Sequence, residues 1–119
     1  MPTVQAILST ADLDRQRAFY EGLLGAVETM RHPAEGAPFY IGLTLGDSGF
    51  GLVNEPGTPS SPRFALSIEV DDVDALLPKV EAAGGQVLGP PTDMPWGQRV
   101  AHVHDPDGNL INLTHTTVP

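Results

Sequence analysis

The sequence predicts an α+β fold: two βαβββ modules forming a half-open barrel, with the helices outside and a concave cleft on the inner sheet faces. Three observations carry the prediction. An Asp-x-Asp pair opens a helix-like stretch at Asp12 and Asp14, and again sixty residues later at Asp72 and Asp74. A Gly-x-Val pair closes each stretch at the same offset, Gly25 with Val27 and then Gly85 with Val87. Between the copies, residues 55–62 hold three prolines. A repeat of this length is one supersecondary module used twice. A segment that rich in proline supports neither helix nor ladder, and so reads as the linker. The 119 residues therefore make a single domain, with module one at about 2–54, the linker at 55–62 and module two at about 63–117.

Each element has a local cause. Residues 4–9 form an apolar run bounded by Pro2, which suits a strand. Asp12 is an N-cap, because its carboxylate accepts the orphan N–H groups of a first helical turn. The helix over 13–24 has a partial apolar stripe of Leu13, Phe19, Tyr20, Leu23 and Leu24. Gly25 takes the left-handed position after its last turn. Strands over 26–30, 39–45 and 50–54 follow, separated by a polar loop at 31–38 and a hairpin turn at 46–49. In module two, a strand over 64–70 leads to a helix over 73–83, with Val73, Leu76, Leu77, Val80 and Ala83 on one face. Pro78 removes a backbone donor there and predicts a kink. Strands over 86–88, 99–103 and 109–114 complete the module, with a Pro-rich loop at 89–95 and a tight turn at Asp105-Pro106-Asp107-Gly108. Neither module has much core of its own, which favours a homodimer or a paired arrangement of modules.

Composition narrows the function. There is no cysteine, so disulfides, zinc–thiolate sites and thiol catalysis are excluded. The formal charge of −9 comes from fifteen acidic and six basic residues. That surface repels phosphate backbones, so nucleic acid is not an expected partner, whereas cationic ligands are favoured. No apolar run approaches the ~18 residues that span a membrane. The opening residues lack the basic region and apolar core of a signal peptide. A soluble, cytoplasmic protein with no membrane partner is the expectation. No serine sits in a Gly-x-Ser-x-Gly elbow, and no Gly-rich loop offers to cradle phosphate.

Three groups of residues carry a resemblance: Ala11-Asp12-Leu13 with Phe19-Tyr20 and Leu24-Gly25; Val70-Asp71-Asp72-Val73-Asp74; and Pro95-Trp96-Gly97-Gln98-Arg99 leading to Asp105-Pro106-Asp107-Gly108-Asn109-Leu110. In this order, and over nearly the whole chain, they resemble the vicinal oxygen chelate superfamily of glyoxalases, bleomycin-resistance proteins and extradiol dioxygenases. The Pro-Trp-Gly-x-Arg element looks most like the metal-free bleomycin-resistance branch. The resemblance implies that enzymes of this type hold a divalent metal through His and Glu at inward-facing strand positions. Carried onto this sequence, those positions are Gln5, Ala65 and Asn112, with a fourth near Leu52 or Val53. Divalent first-row metals favour imidazole or carboxylate donors, and neutral amides are weak ligands. No metal, no cofactor and no catalytic residue is therefore expected.

The four histidines offer little to replace that site. His102 and His104 share a strand face but lack a third ligand, His32 lies in a loop and His115 near the chain end. Asp105 and Asp107 read as turn residues. The expected binding residues are those of an aromatic and polar cleft. Trp96 and Met94 suit a stacking wall for a planar ligand. Phe39, Tyr40, Phe50 and Phe64 stand at strand starts near the cleft mouth, and for the phenylalanines core packing is the competing reading. Ser67 and Glu69 share the face of Ala65, and Gln5, Arg99, His102 and Asn112 supply polar contacts, with an ion pair to an acidic neighbour as the competing reading of Arg99. The function this implies is sequestration of a small aromatic natural product or antibiotic by a metal-independent homodimer. The alternative is a glyoxalase-like lyase, an isomerase or a dioxygenase-type enzyme with an atypical or absent metal site.

Overall fold

The computed structural model describes residues 4–57 and 64–117. Pro2 and most of the Pro-rich linker lie outside the described residues. The chain divides into two compact units, Met1–Pro59 and Ser60–Pro119.

The first unit runs β1 (Ala6–Thr10), α1 (Leu13–Leu24), β2 (Val27–His32), β3 (Tyr40–Leu45) and β4 (Ser48–Asn54). Its four-stranded sheet has the order β1-β4-β3-β2, with β1 parallel to β4 and the other pairs antiparallel. The expected caps are in place. The Asp12 side chain accepts from Arg15 N–H at 3.0 Å, and Gly25 sits at φ 75° with its N–H on Glu21. A left-handed φ at that point is why glycine stands there. The helix buries Leu13, Gln16, Phe19 and Tyr20. The Tyr20 ring meets Phe19 and Phe50 edge-on at 5.0 and 5.1 Å, a favoured geometry for aromatic pairs. Ile41, Leu43, Phe50 and Leu52 complete this core. Strand alternation turns the residues between them, Gly42 and Gly51 among others, to the opposite face.

The second unit repeats the plan: β5 (Ala65–Glu69), α2 (Val73–Val80), β6 (Gln86–Val87), β7 (Thr92–Asp93), β8 (Gln98–His104) and β9 (Leu110–Thr116). Its main path is β5-β9-β8-β6, the same order as in the first unit, and β7 adds a short pairing to β8. The α+β repeat read from the sequence is therefore present, as two helices on two unclosed mixed sheets. Asp72 caps α2 as Asp12 caps α1, accepting from Ala75 N–H at 3.2 Å. Val73, Val80, Val103, Ile111 and Leu113 are fully buried between the helix and its sheet.

Three local expectations change. The stretch 89–95 is not all loop, because Thr92 and Asp93 pair with Val100 and Arg99. Helix α2 stops at Val80, two residues after Pro78, so the proline costs one hydrogen bond near the end of the helix and does not bend a long one. The left-handed residue that follows is Gly84 at φ 101°, one position before the glycine that the repeat singles out.

A side chain of the last strand helps tie α2 to the sheet. His115 Nδ1 on β9 accepts the Val73 N–H at 2.8 Å. Val73 is completely buried, so no water can satisfy that first-turn donor.

Candidate functional site

The helices cover one face of each sheet, and the candidate site chemistry lies on the other. In the second unit, the register fixes which side chains share that face. Ser67 pairs with Asn112 across β5 and β9, and Asn112 pairs with His102 across β9 and β8. The three polar side chains form one row across three strands. The next row on one side holds Glu69, Thr114 and Val100, and the next on the other holds Ala65, Leu110 and His104 with Gln86 of β6. The expected members Ser67, Glu69, His102 and Asn112 are thus brought together on a single face. Gln86 and Thr114 join them; the alternation of β9 was the available signal for Thr114, whereas Gln86 is placed only by the pairing of two-residue β6 with β8.

The row has internal chemistry. His102 Nδ1 and Asn112 Oδ1 are 2.6 Å apart. A carbonyl oxygen only accepts, so this contact is a hydrogen bond when Nδ1 carries the proton. His102 is exposed and Asn112 half-buried, so the imidazole edge bearing Nε2 stays open to the face.

Trp96 and Met94 occupy the turn between β7 and β8, closed by Met94 N–H to Gln98 O at 2.7 Å and Gly97 N–H to Met94 O at 3.1 Å. Trp96 Nε1 donates to the Gln98 side chain at 2.9 Å, and the indole remains 68% exposed. The tether fixes one edge of the ring and leaves its surface open.

In the first unit, the corresponding face carries Gln5, Ile7 and Ser9 beside Gly49, Gly51 and Val53, then Thr44, Gly42 and Tyr40. Tyr40 lies across Gly51: a Cβ added there would overlap the hydroxyl and Cε2 of the ring. Its hydroxyl accepts from Gln5 Nε2 at 3.3 Å. The sequence places Tyr40 at a strand start near the cleft mouth but assigns it no ligand contact. The signal for it was glycine at an inward strand position, where only a missing Cβ admits a ring.

Two expected residues belong elsewhere. Phe50 is buried against Tyr20 on the helix side, because alternation with Gly51 leaves it no other face. Arg99 also points to the helix side, alternating with Val100. It bonds Asp74 of α2 at 2.7 and 3.0 Å and Asp93 of β7 at 2.9 Å. These contacts hold the Asp74 carboxyl below its usual range, the hydrogen bond from Arg99 being the largest cause, and raise the guanidinium. Arg99 is a clamp between helix and hairpin. Phe39 and Phe64 are exposed immediately before β3 and β5, one residue out of phase with Tyr40 and Ala65.

The register also corrects the fourth metal position. Leu52 is fully buried on the helix side. The residue of β4 that stands as Asn112 does in β9 is Gly51, each lying level with the second inward residue of its parallel neighbour, Ile7 or Ser67. The four positions that the resemblance points to are therefore Gln5, Gly51, Ala65 and Asn112. Two have no donor atom, and the two amides are engaged with Tyr40 and His102. Neither the Gln5 and Gly51 pair of the first unit nor the Ala65 and Asn112 pair of the second offers the imidazole or carboxylate that a divalent ion favours. Among the described residues, no group of three His, Cys, Asp or Glu side chains could hold a metal.

With that geometry in place, known proteins give it a context. The family model for the glyoxalase/bleomycin resistance protein/dioxygenase superfamily matches residues 3–113. CFP32 of Mycobacterium tuberculosis, which bears a provisional glyoxylase name, is 36% identical over 107 residues, covering 89% of this chain and 41% of its own length. The chain thus spans about two-fifths of that curated relative. Among solved structures, TioX from Micromonospora sp. ML1 superimposes with a TM-score of 0.76 at 26% identity, covering 99% of this chain and 98% of TioX. A glyoxalase/bleomycin resistance protein/dioxygenase family enzyme from Burkholderia phytofirmans shares the fold with a TM-score of 0.79 at 24% identity, covering 94% of this chain and 96% of its own.

Proposed function

The chain belongs to the glyoxalase/bleomycin resistance protein/dioxygenase superfamily, and within it we propose a metal-independent protein that binds and sequesters a small aromatic compound. The observation that carries this reading is that, taken unit by unit, neither Gln5 with Gly51 nor Ala65 with Asn112 supplies an anionic or imidazole group. What the sheet faces offer instead is contact surface. Tyr40 rests on the backbone of Gly51, and Trp96 keeps its indole largely open. The Ser67–Asn112–His102 row supplies hydrogen bonds for orientation. Aromatic surface with a few placed polar groups is the usual make-up of a small-molecule site. The net charge of −9 favours a cationic compound. Protection of a target would follow from mass action, with the compound held and not altered. The working unit in this proposal is a homodimer in the cytoplasm, which light scattering of the purified protein and cell fractionation would check.

The test uses dialysed protein and a panel of planar aromatic antibiotics. A binding compound raises the midpoint of thermal unfolding and quenches the single tryptophan, Trp96. Both effects persist in EDTA, and mass spectrometry recovers the compound unchanged. A near-stoichiometric divalent ion that survives dialysis, or altered compound at many turnovers per protein, overturns the proposal.

A second reading is supported by the His102–Asn112 pair and Glu69, which share one open face. Either His102 Nε2 or Glu69 could serve as a general base in a metal-free, glyoxalase-like isomerase or lyase. The provisional name of CFP32 points the same way. Turnover that is insensitive to chelators and lost in His102→Phe would favour this reading.

A further inference from the structure

We infer that Asn112 is a positioning residue that holds His102 as the Nδ1–H tautomer, so that His102 Nε2 accepts an O–H or N–H group of an aromatic ligand. The inference deepens the binding reading, on which it rests, by specifying the ligand: a planar aromatic with a hydrogen-bond donor on its ring edge.

Imidazole has two neutral tautomers, and the hydrogen bond at one nitrogen decides the role of the other. Here the Asn112 carbonyl oxygen stands 2.6 Å from Nδ1, and that oxygen has nothing to donate. The proton is therefore on Nδ1, and the Nε2 lone pair faces outward. The strand register enforces this arrangement. Asn112 and His102 are directly opposed partners on antiparallel β9 and β8, and opposed side chains stand about 4.5–5.5 Å apart at Cβ, close enough for a direct contact. Asn112 is half-buried and His102 exposed, so the fixed partner lies deeper and the ligand-facing one outward. Ser67 stands on the other side of Asn112 in the same row. The result is an acceptor set in place before any ligand arrives, beside the donors of the Asn112 amide and the Ser67 hydroxyl. A ligand lacking a donor leaves that acceptor desolvated and unpaired.

The experiment uses the full chain, with nitrogen-15 NMR of the His102 ring and titrations of phenol and of anisole, in which a methyl group replaces the donor hydrogen. The expected wild-type spectrum has Nδ1 protonated and Nε2 bare. Asn112→Leu loses that tautomer, whereas Asn112→Asp keeps it, because the carboxylate still accepts from Nδ1–H. Phenol binds roughly fivefold more tightly than anisole in the wild type, the factor expected of one net hydrogen bond. The preference falls to about one in Asn112→Leu and in His102→Phe, and survives in Asn112→Asp; amide spectra of each variant show that the fold is kept. A protonated Nε2 in the wild type, an unchanged tautomer in Asn112→Leu, equal affinities for the two probes, or no response to phenol each overturns the inference. These failures are separate from those of the binding reading. A tightly held metal or chemical turnover would sink sequestration and leave the tautomer result standing.

Discussion

Replacing His115 by phenylalanine removes the acceptor of a completely buried N–H. In the wild type, His115 Nδ1 takes the Val73 N–H at 2.8 Å, and Val73 is 0% exposed. The substitution takes away the acceptor of a first-turn donor that is shut off from water in the wild type. Leaving a buried backbone group unsatisfied costs about 1–3 kcal/mol. Phenylalanine has a ring of similar width, so packing against α2 changes little and the loss is assigned to the hydrogen bond. For a chain of this size each kcal/mol lowers the melting temperature by roughly 3–6 °C, so the fall should be about 3–18 °C. The control is His115→Asn, whose amide oxygen falls where Nδ1 was; it should recover more than half of the loss. Calorimetry gives the midpoint, and hydrogen exchange localises the effect to the amides of α2. A His115→Phe protein that melts with the wild type and keeps its α2 protection would refute the reasoning.

Other predictions follow from the same geometry. Asp12→Ala and Asp72→Ala each remove an N-cap acceptor and should cost about 0.5–2 kcal/mol in urea unfolding. The Arg99–Asp74 contact should stabilise the fold in a pH-dependent way. Because Asp74 titrates low when folded, the stability gap between wild type and Arg99→Met is full above the ordinary aspartate range near ~3.9. It narrows below that range and closes as the pH falls through the folded value; acid titrations of both proteins would show the convergence. Gly51→Val should expel the Tyr40 ring from its seat, since even a Cβ there overlaps the hydroxyl. The Tyr40 ring resonances should shift, and compounds that bind the wild type should bind this variant at least several-fold more weakly in calorimetric titrations.

The repeat was legible because its signals are local. Asp12 and Asp72 cap helices through atoms three residues away, and Gly25 needs only its own φ. The alternation that puts Ser67 and Glu69 on the face of Ala65 is likewise a property of one strand. The site was legible only as far as such local rules reach. Phe50 and Arg99 stood as cleft candidates beside the competing readings of a core ring and an ion pair with an acidic neighbour, and one register step decides for the core and the ion pair by putting both on the helix side. The strand at 92–93 escaped notice because two residues carry no period of their own, and only pairing with β8 makes them a strand.

From composition and order alone came the family type, two modules, the absence of thiol chemistry and the poor donor set at three of the four inward positions. These depend on which atoms a residue possesses. Tertiary structure decided the partnerships: that Gly51 and not Leu52 stands level with Asn112's place in the fold, that Tyr40 fills the space over it, and that Asn112 faces His102. Those facts depend on how strands far apart in the chain slide against one another before they bond. Hydrogen-bond register between distant segments is set by the packing of the whole sheet on its helix, and no single segment encodes it.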